Sequence, residues 1–125
     1  MDISTLKPRN TFVRLEHPGT KQEISLVIEM RSRHSEEVQE VAEKHRAKLT
    51  NRHGKVREAT PEESKTHNRN LILASVVGWE WDGEDNFKGE QPAYSRETLK
   101  AWLTEYDWMV EFFAGEFIDD ANFYK

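Results

Sequence analysis

The sequence predicts an α+β fold, predominantly α-helical, with an N-terminal β-hairpin followed by about four helices. Three observations predict it. Two short apolar runs flank the turn signal His17-Pro18-Gly19-Thr20. Helix-start signals recur at Ser35, Thr60, Ser95 and Asp107. All four tryptophans lie within residues 79–108, where they can furnish a core that is otherwise short of apolar residues.

The hairpin comprises Thr11 to Leu15 and Ile24 to Met30, within residues 11–30. Proline pre-sets φ in the turn and Gly19 accepts a positive φ. Phe12, Leu15, Leu26 and Ile28 are the expected inward residues. A hairpin alone is marginal in water, so it must pack on helices or pair with another edge.

Ser35 is the expected cap of the first helix, with Glu36 and Glu37 near its positive end. Val38, Val41, Ala42, His45 and Leu49 form a narrow apolar stripe at helical spacing. Asn51 to Gly54 ends it. Thr60-Pro61-Glu62-Glu63 then combines an N-cap Thr, Pro at the first helical position and Glu at the third, a capping box. This second helix is expected to run through Leu71 to Val77 and stop at Gly78. A buried strand is the alternative for that apolar run, since periodicity cannot separate the two. The cap upstream and the lack of a breaker favour helix.

Residues 82–93 read as a loop containing Gly83, Gly89 and Pro92. Ser95 caps the third helix, with Tyr94 and Leu99 spaced as a hydrophobic staple. Leu99, Trp102 and Leu103 share one face. Trp79, Leu99 and Trp102 are expected to be buried together as structural core. Asp107 is the expected cap of a last helix carrying Met109, Phe112, Phe113 and Phe117.

The 125 residues suit a single domain, 1–125. It divides into a loose arm (1–10), the hairpin (11–30), charged helices (35–78) and an aromatic, acidic helical part (79–125). Apolar residues make up 36% and charged residues 33%, a thin core of the kind that a partner or a second subunit completes. The absence of cysteine excludes disulfides and thiolate metal sites, and a reducing, cytoplasmic setting follows most simply. The N-terminus lacks the basic and apolar regions of a signal peptide. The longest apolar run, Leu71 to Val77, is too short to span a membrane.

Charge is divided along the chain. Residues 1–77 hold 14 Lys/Arg against 11 Asp/Glu, a net of +3; residues 78–125 hold 4 against 12, a net of −8. The acidic third disfavours a phosphate backbone as ligand and suits a basic protein partner. The basic set Lys44, Arg46, Lys48, Arg52, Lys55 and Arg57 lacks interleaved aromatics and has Glu40 and Glu43 beside it. It reads as a solvated face, or as a seam for the acidic third of a neighbouring copy, rather than as a nucleic-acid surface.

No catalytic pattern is present: no GxGxxG, P-loop or GxSxG. Asp82-x-Glu84-x-Asn86 opens like a calcium loop, but Phe87 stands where glycine is needed and Ala93 where glutamate is needed. The five histidines show no paired zinc spacing. The expectation is a non-enzyme with no metal and no cofactor. Trp108, Phe113, Phe117, Phe123 and Tyr124 are the candidate protein-binding residues, since aromatics are favoured at interfaces. Arg46, Arg52, Glu111 and Glu116 are the candidate self-association residues.

Taken in order, an N-terminal hairpin, charged helices, Val77-Gly78-Trp79-Glu80-Trp81-Asp82-Gly83, an acidic loop, Pro92-Ala93-Tyr94-Ser95-Arg96-Glu97 and Leu103-Thr104-Glu105-Tyr106 before a last helix resemble the tail assembly chaperones of long-tailed bacteriophages. In that family a Trp-bearing glycine turn precedes a Tyr/Phe-Ser-Glu helix start and an aromatic–proline step into the last helix. Here Asp107 stands where that proline would be expected. The resemblance covers mainly residues 71–117. It implies a small, mainly helical protein of the bacterial host cytoplasm, encoded by a phage or prophage and absent from the mature virion. Such a protein coats the tape measure protein, keeps it soluble and recruits tail tube protein, with weak homo-oligomerisation and with neither nucleic acid nor membrane as partner. A frameshifted longer form often accompanies it. The alternatives are a small acidic phage regulator or inhibitor acting one-to-one on a protein target, and a structural protein of the virion.

Overall fold

The computed structural model describes residues 1–6 and 9–118. Strands β1 (Thr11–Glu16) and β2 (Glu23–Met30) pair antiparallel, with Thr11 opposite Met30 and Val13 opposite Ile28. His17 closes their turn. Its N–H donates to the Gln22 carbonyl at 2.8 Å, and its Nδ1 accepts from the Gly19 and Thr20 N–H groups at 3.0 and 3.1 Å. The positive φ expected at Gly19 falls instead on Lys21, at 62°. Lys21 donates its N–H to the His17 carbonyl at 2.9 Å, so the reversal of the chain is completed at that residue.

Successive strand residues face opposite sides. Val13, Leu15, Leu26, Ile28 and Met30 are buried on one face. Phe12, expected to point inward, is 67% exposed. Val13 and Leu15, two apart, take the inner face, and Phe12 between them and the strand start is turned to the other.

Helix α1 (Glu36–Leu49) packs on α2 (Pro61–Ser75). Ser35 holds the cap conformation, but its hydroxyl makes no capping hydrogen bond. At α2 the capping box forms fully: Thr60 Oγ1 accepts from Glu63 N–H at 3.2 Å and Glu63 Oε1 accepts from Thr60 N–H at 3.0 Å. Arg57 adds two hydrogen bonds of 2.8 Å to the same carboxylate. The guanidinium first, and the Thr60 N–H second, hold the Glu63 carboxyl at about 2.

The helix predicted to reach Gly78 ends at Ser75, and Val76–Trp81 forms a third strand, β3. It pairs antiparallel with β2, giving the sheet order β1-β2-β3. Ile28 lies opposite Trp79 and Leu26 opposite Trp81. The end of β2 stops the helix. Arg31 N–H donates to the Ser75 carbonyl at 2.7 Å, Ser75 Oγ donates to the Arg31 carbonyl at 2.8 Å, and Arg31 Nη1 donates to the Ala74 carbonyl at 3.0 Å. These bonds satisfy carbonyls that a helix end leaves open. Two valines and two tryptophans then suit a half-buried strand.

Ser95 caps α3 (Arg96–Glu105), accepting from Thr98 N–H at 3.0 Å. Tyr106 alone joins it to α4 (Asp107–Ile118). Asp107, expected as the cap, is the first residue of that helix and pairs with Lys65 at 3.5 Å. The core lies between the inner sheet face and α2, α3 and α4, where Ile72, Leu73, Leu99, Leu103, Met109 and Phe113 are buried.

Candidate functional site

The strongest local organisation lies where β3, the loop after it, α3 and α4 meet. Trp79 and Trp81, two residues apart on one strand, face the same side. Both indole N–H groups donate to a single acceptor, the Pro92 carbonyl, each at 2.9 Å. Tyr94 OH donates to the Val76 carbonyl at 3.3 Å. Trp79 stacks on Trp102 with ring centroids 4.7 Å apart and planes 6° from parallel. Tyr94 meets Trp79 edge-on at 5.0 Å. Phe87 tilts onto Trp102 at 5.2 Å and meets Tyr106 edge-on at 6.0 Å. Trp79, Leu99 and Trp102 are buried beneath this series.

The acidic loop is held to the hairpin by its own acids. Arg14 donates two hydrogen bonds to Asp82, at 2.6 and 2.5 Å. That contact raises the Arg14 pKa and lowers that of Asp82. Ser25 donates its N–H and hydroxyl to Asp85 at 2.8 and 3.0 Å, and Gln91 bridges the Gly83 and Asp85 carbonyls at 2.7 and 2.9 Å. A Cβ at Gly83 would lie 2.6 Å from Ser25 Cβ, so the approach of loop to strand depends on glycine. Among the described residues no three His, Asp or Glu side chains gather as a metal-binding group.

Beside the aromatic series an apolar cleft of about 250 Å³ opens between the hairpin and the α3–α4 joint. Leu15, Ile24, Trp81, Phe87, Tyr106 and Trp108 line it. A second cleft, of about 490 Å³, lies between α1 and α2 and is polar, with Lys44, Lys48, Glu62, Asn70 and Arg96 in its walls. There His45 and His67 stack with centroids 3.8 Å apart and planes 7° from parallel. Burial first, and the charge of His45 second, lower the His67 pKa below the ordinary histidine value.

Trp108 is half-buried at the apolar cleft. Phe113, a candidate protein-binding residue, is 2% exposed and belongs to the core instead. It stands four residues after Met109, so both occupy the inward face of α4. Phe117, another such candidate, is half-buried against the same core. Phe123 and Tyr124 lie outside the described residues. Arg46, Arg52 and Glu111 are exposed, while Glu116 is half-buried and engaged by a neighbour. Trp81, Phe87 and Tyr106 were not singled out from sequence as binding residues. The signal for Trp81 was its spacing from Trp79, legible only once residues 76–81 are read as a strand.

The N-terminal arm stands apart from all of this. Ile3–Thr5 forms one 3₁₀ turn, capped by Asp2, whose carboxylate accepts from Ser4 N–H at 3.0 Å and Ser4 Oγ at 2.7 Å. Met1, Ile3 and Leu6 are 104%, 77% and 56% exposed.

Among the described residues no helix is long and apolar enough to cross a membrane. Compared with known protein families, with curated proteins and with solved structures, the chain shows no significant match to any of them.

Proposed function

We propose that this chain is a tail assembly chaperone of a long-tailed bacteriophage or prophage. It acts in the host cytoplasm, where several copies cover the tape measure protein, keep it soluble and bring tail tube protein to it. The chain supplies a binding surface rather than catalysis.

The observation that carries this reading is the open apolar cleft. The segment whose order of motifs resembles the family, residues 71–117, supplies Trp81, Phe87, Tyr106 and Trp108 to it, and the hairpin supplies the opposite wall. A shallow, aromatic-lined cleft accepts apolar side chains projecting from one stripe of a helix, the mode of helix-in-groove recognition. A long apolar helix offers such side chains repeatedly, so it binds many copies. The regulator reading is weaker, because Asp82 and Asp85 are engaged by Arg14 and Ser25 and do not form a free array of charge.

Co-expression with the tape measure protein encoded by the same genome tests the proposal. The expected result is a soluble complex with many copies of this chain per tape measure protein. Recovery of the tape measure protein only in the insoluble fraction, with no complex on affinity purification, refutes it. A one-to-one complex with an unrelated protein instead supports the regulator.

A further inference from the structure

Two features of the molecule are complementary. The arm exposes Met1, Ile3 and Leu6, and the cleft beside Trp81 and Trp108 presents an apolar lining to solvent. We propose that the arm of one copy docks in the cleft of the next, linking copies head to tail and closing the cleft until a helical partner displaces the arm. The association is a property of the chain alone; its displacement by partner rests on the chaperone reading.

The arm is already shaped for this. In a 3₁₀ turn, residues three apart eclipse one another. Ile3 opens the turn and Leu6 caps it, and the Leu6 N–H donates to the Ile3 carbonyl at 3.2 Å, so the closed turn holds the two apolar residues close together. The Asp2 cap fixes that conformation before any contact is made, which reduces the ordering that docking must impose. Size agrees as well. An apolar cavity of about 150 Å³ takes a benzene-sized ligand, so a cleft of about 250 Å³ has room for two aliphatic side chains.

Charge sets the direction. The arm carries Lys7 and Arg9 against Asp2 within residues 1–9. The loop that lends Asn86 and Phe87 to the cleft carries Glu84, Asp85 and Glu90 against Lys88, beyond Asp82, whose charge Arg14 offsets. A basic segment therefore approaches an acidic rim. The surfaces joined are different on the two copies, and such heterologous contacts extend into open chains unless the rotation closes a ring.

Analytical ultracentrifugation of the full chain at low salt over a range of concentrations tests the docking. The variant carrying Ile3→Asp and Leu6→Asp should self-associate at least about tenfold more weakly, a loss of roughly 1.4 kcal/mol or more, with an unchanged melting curve because both residues are exposed. A peptide of residues 1–9 should bind this variant, whose cleft is intact, with a saturable shift in tryptophan emission. Trp108→Ala should abolish that shift; if that chain fails to fold, the titration of the arm variant still decides. Mixing the arm variant with Trp108→Ala should give a heterodimer that grows no further. Unchanged self-association in the arm variant, or no emission shift with the peptide, overturns the proposal. So does an emission change on altering the arm that is independent of protein concentration, which places the arm in its own cleft. Association that survives the arm change but is lost on removing residues 119–125 overturns it too. Co-expressed with the tape measure protein, the arm variant should recover at least as much soluble complex as the wild type, and a lower recovery overturns displacement. If arm-dependent association holds and neither chain solubilises the tape measure protein, the docking stands and the chaperone reading fails.

Discussion

Single residues carry the geometry of the aromatic region. Trp102 is 4% exposed and stacked on Trp79. Replacing it with alanine removes one member of the stack and leaves a cavity, at a cost of about 3–5 kcal/mol. Denaturant unfolding should show that loss as a lower midpoint, with the slope unchanged. Two glycines separate in the same test. At Gly83 an added Cβ meets Ser25 Cβ at 2.6 Å, and Ser25 is tied to Asp85, so Gly83→Ala should destabilise by about 1–3 kcal/mol, as overpacking does. At Gly78 an added Cβ meets nothing within 4 Å, so Gly78→Ala should be neutral or stabilising, since glycine weakens a strand. Equal effects of the two changes would show that the loop does not depend on this close approach.

At the scale of elements, the α1–α2 contact is sensitive to pH. His67 faces His45 across it, with Lys44, Lys48 and Arg96 and the carboxylates of Glu62 and Glu63 in the surrounding cleft. A histidine whose folded pKa is lowered binds fewer protons folded than unfolded. Its contribution is therefore intact above the ordinary histidine value of about 6.5 and is lost as pH falls through the lowered one. Thermal melts should show stability falling below about pH 6.5, and His67→Gln should flatten that dependence. The same helices show what the sequence made legible. The caps at Thr60 and Ser95 were readable because capping is local: Thr, Pro and Glu within four residues specify their own hydrogen bonds. The end of α2 was not, because what stops it is Arg31, more than forty residues earlier in the chain, bonding to Ser75. Missing that long-range contact hid β3, and with it the placement of Trp81 at the cleft. Phe113 was misplaced for a related reason. In α4 only Asp107 and Glu111 mark the outer side, against aromatic or apolar residues at most other positions, and Met109 and Phe113 are seen to share the buried side only against the sheet and α2.

At the scale of the whole molecule, charge and exposed apolar surface act together. Association between copies should weaken as salt rises, because the screening length falls from about 10 Å at 0.1 M to about 3 Å at 1 M. The apolar part of the arm contact should survive screening. Sedimentation at 0.05 M and 1 M salt should therefore show weaker but not abolished association, and complete insensitivity to salt would exclude the acidic loop from the contact. Arg46, Arg52 and Glu111 are exposed, so their charge reversals should alter the salt response while leaving the melting temperature nearly constant. That separates surface charge from folding.

The carbonyl of Pro92, which receives both indole N–H groups, has a consequence for how such a chain drifts in evolution. A main-chain oxygen is supplied by every amino acid, so no replacement at position 92 deletes the acceptor; it can only displace it. Either indole, by contrast, disappears with one codon. Descendants of this sequence can therefore diverge in the loop, proline included, and still keep its end fastened to the sheet, provided that tryptophan persists at both strand positions. A loss of Trp79 or Trp81 would instead call for compensation at the other, since one donor would remain to hold what two now hold.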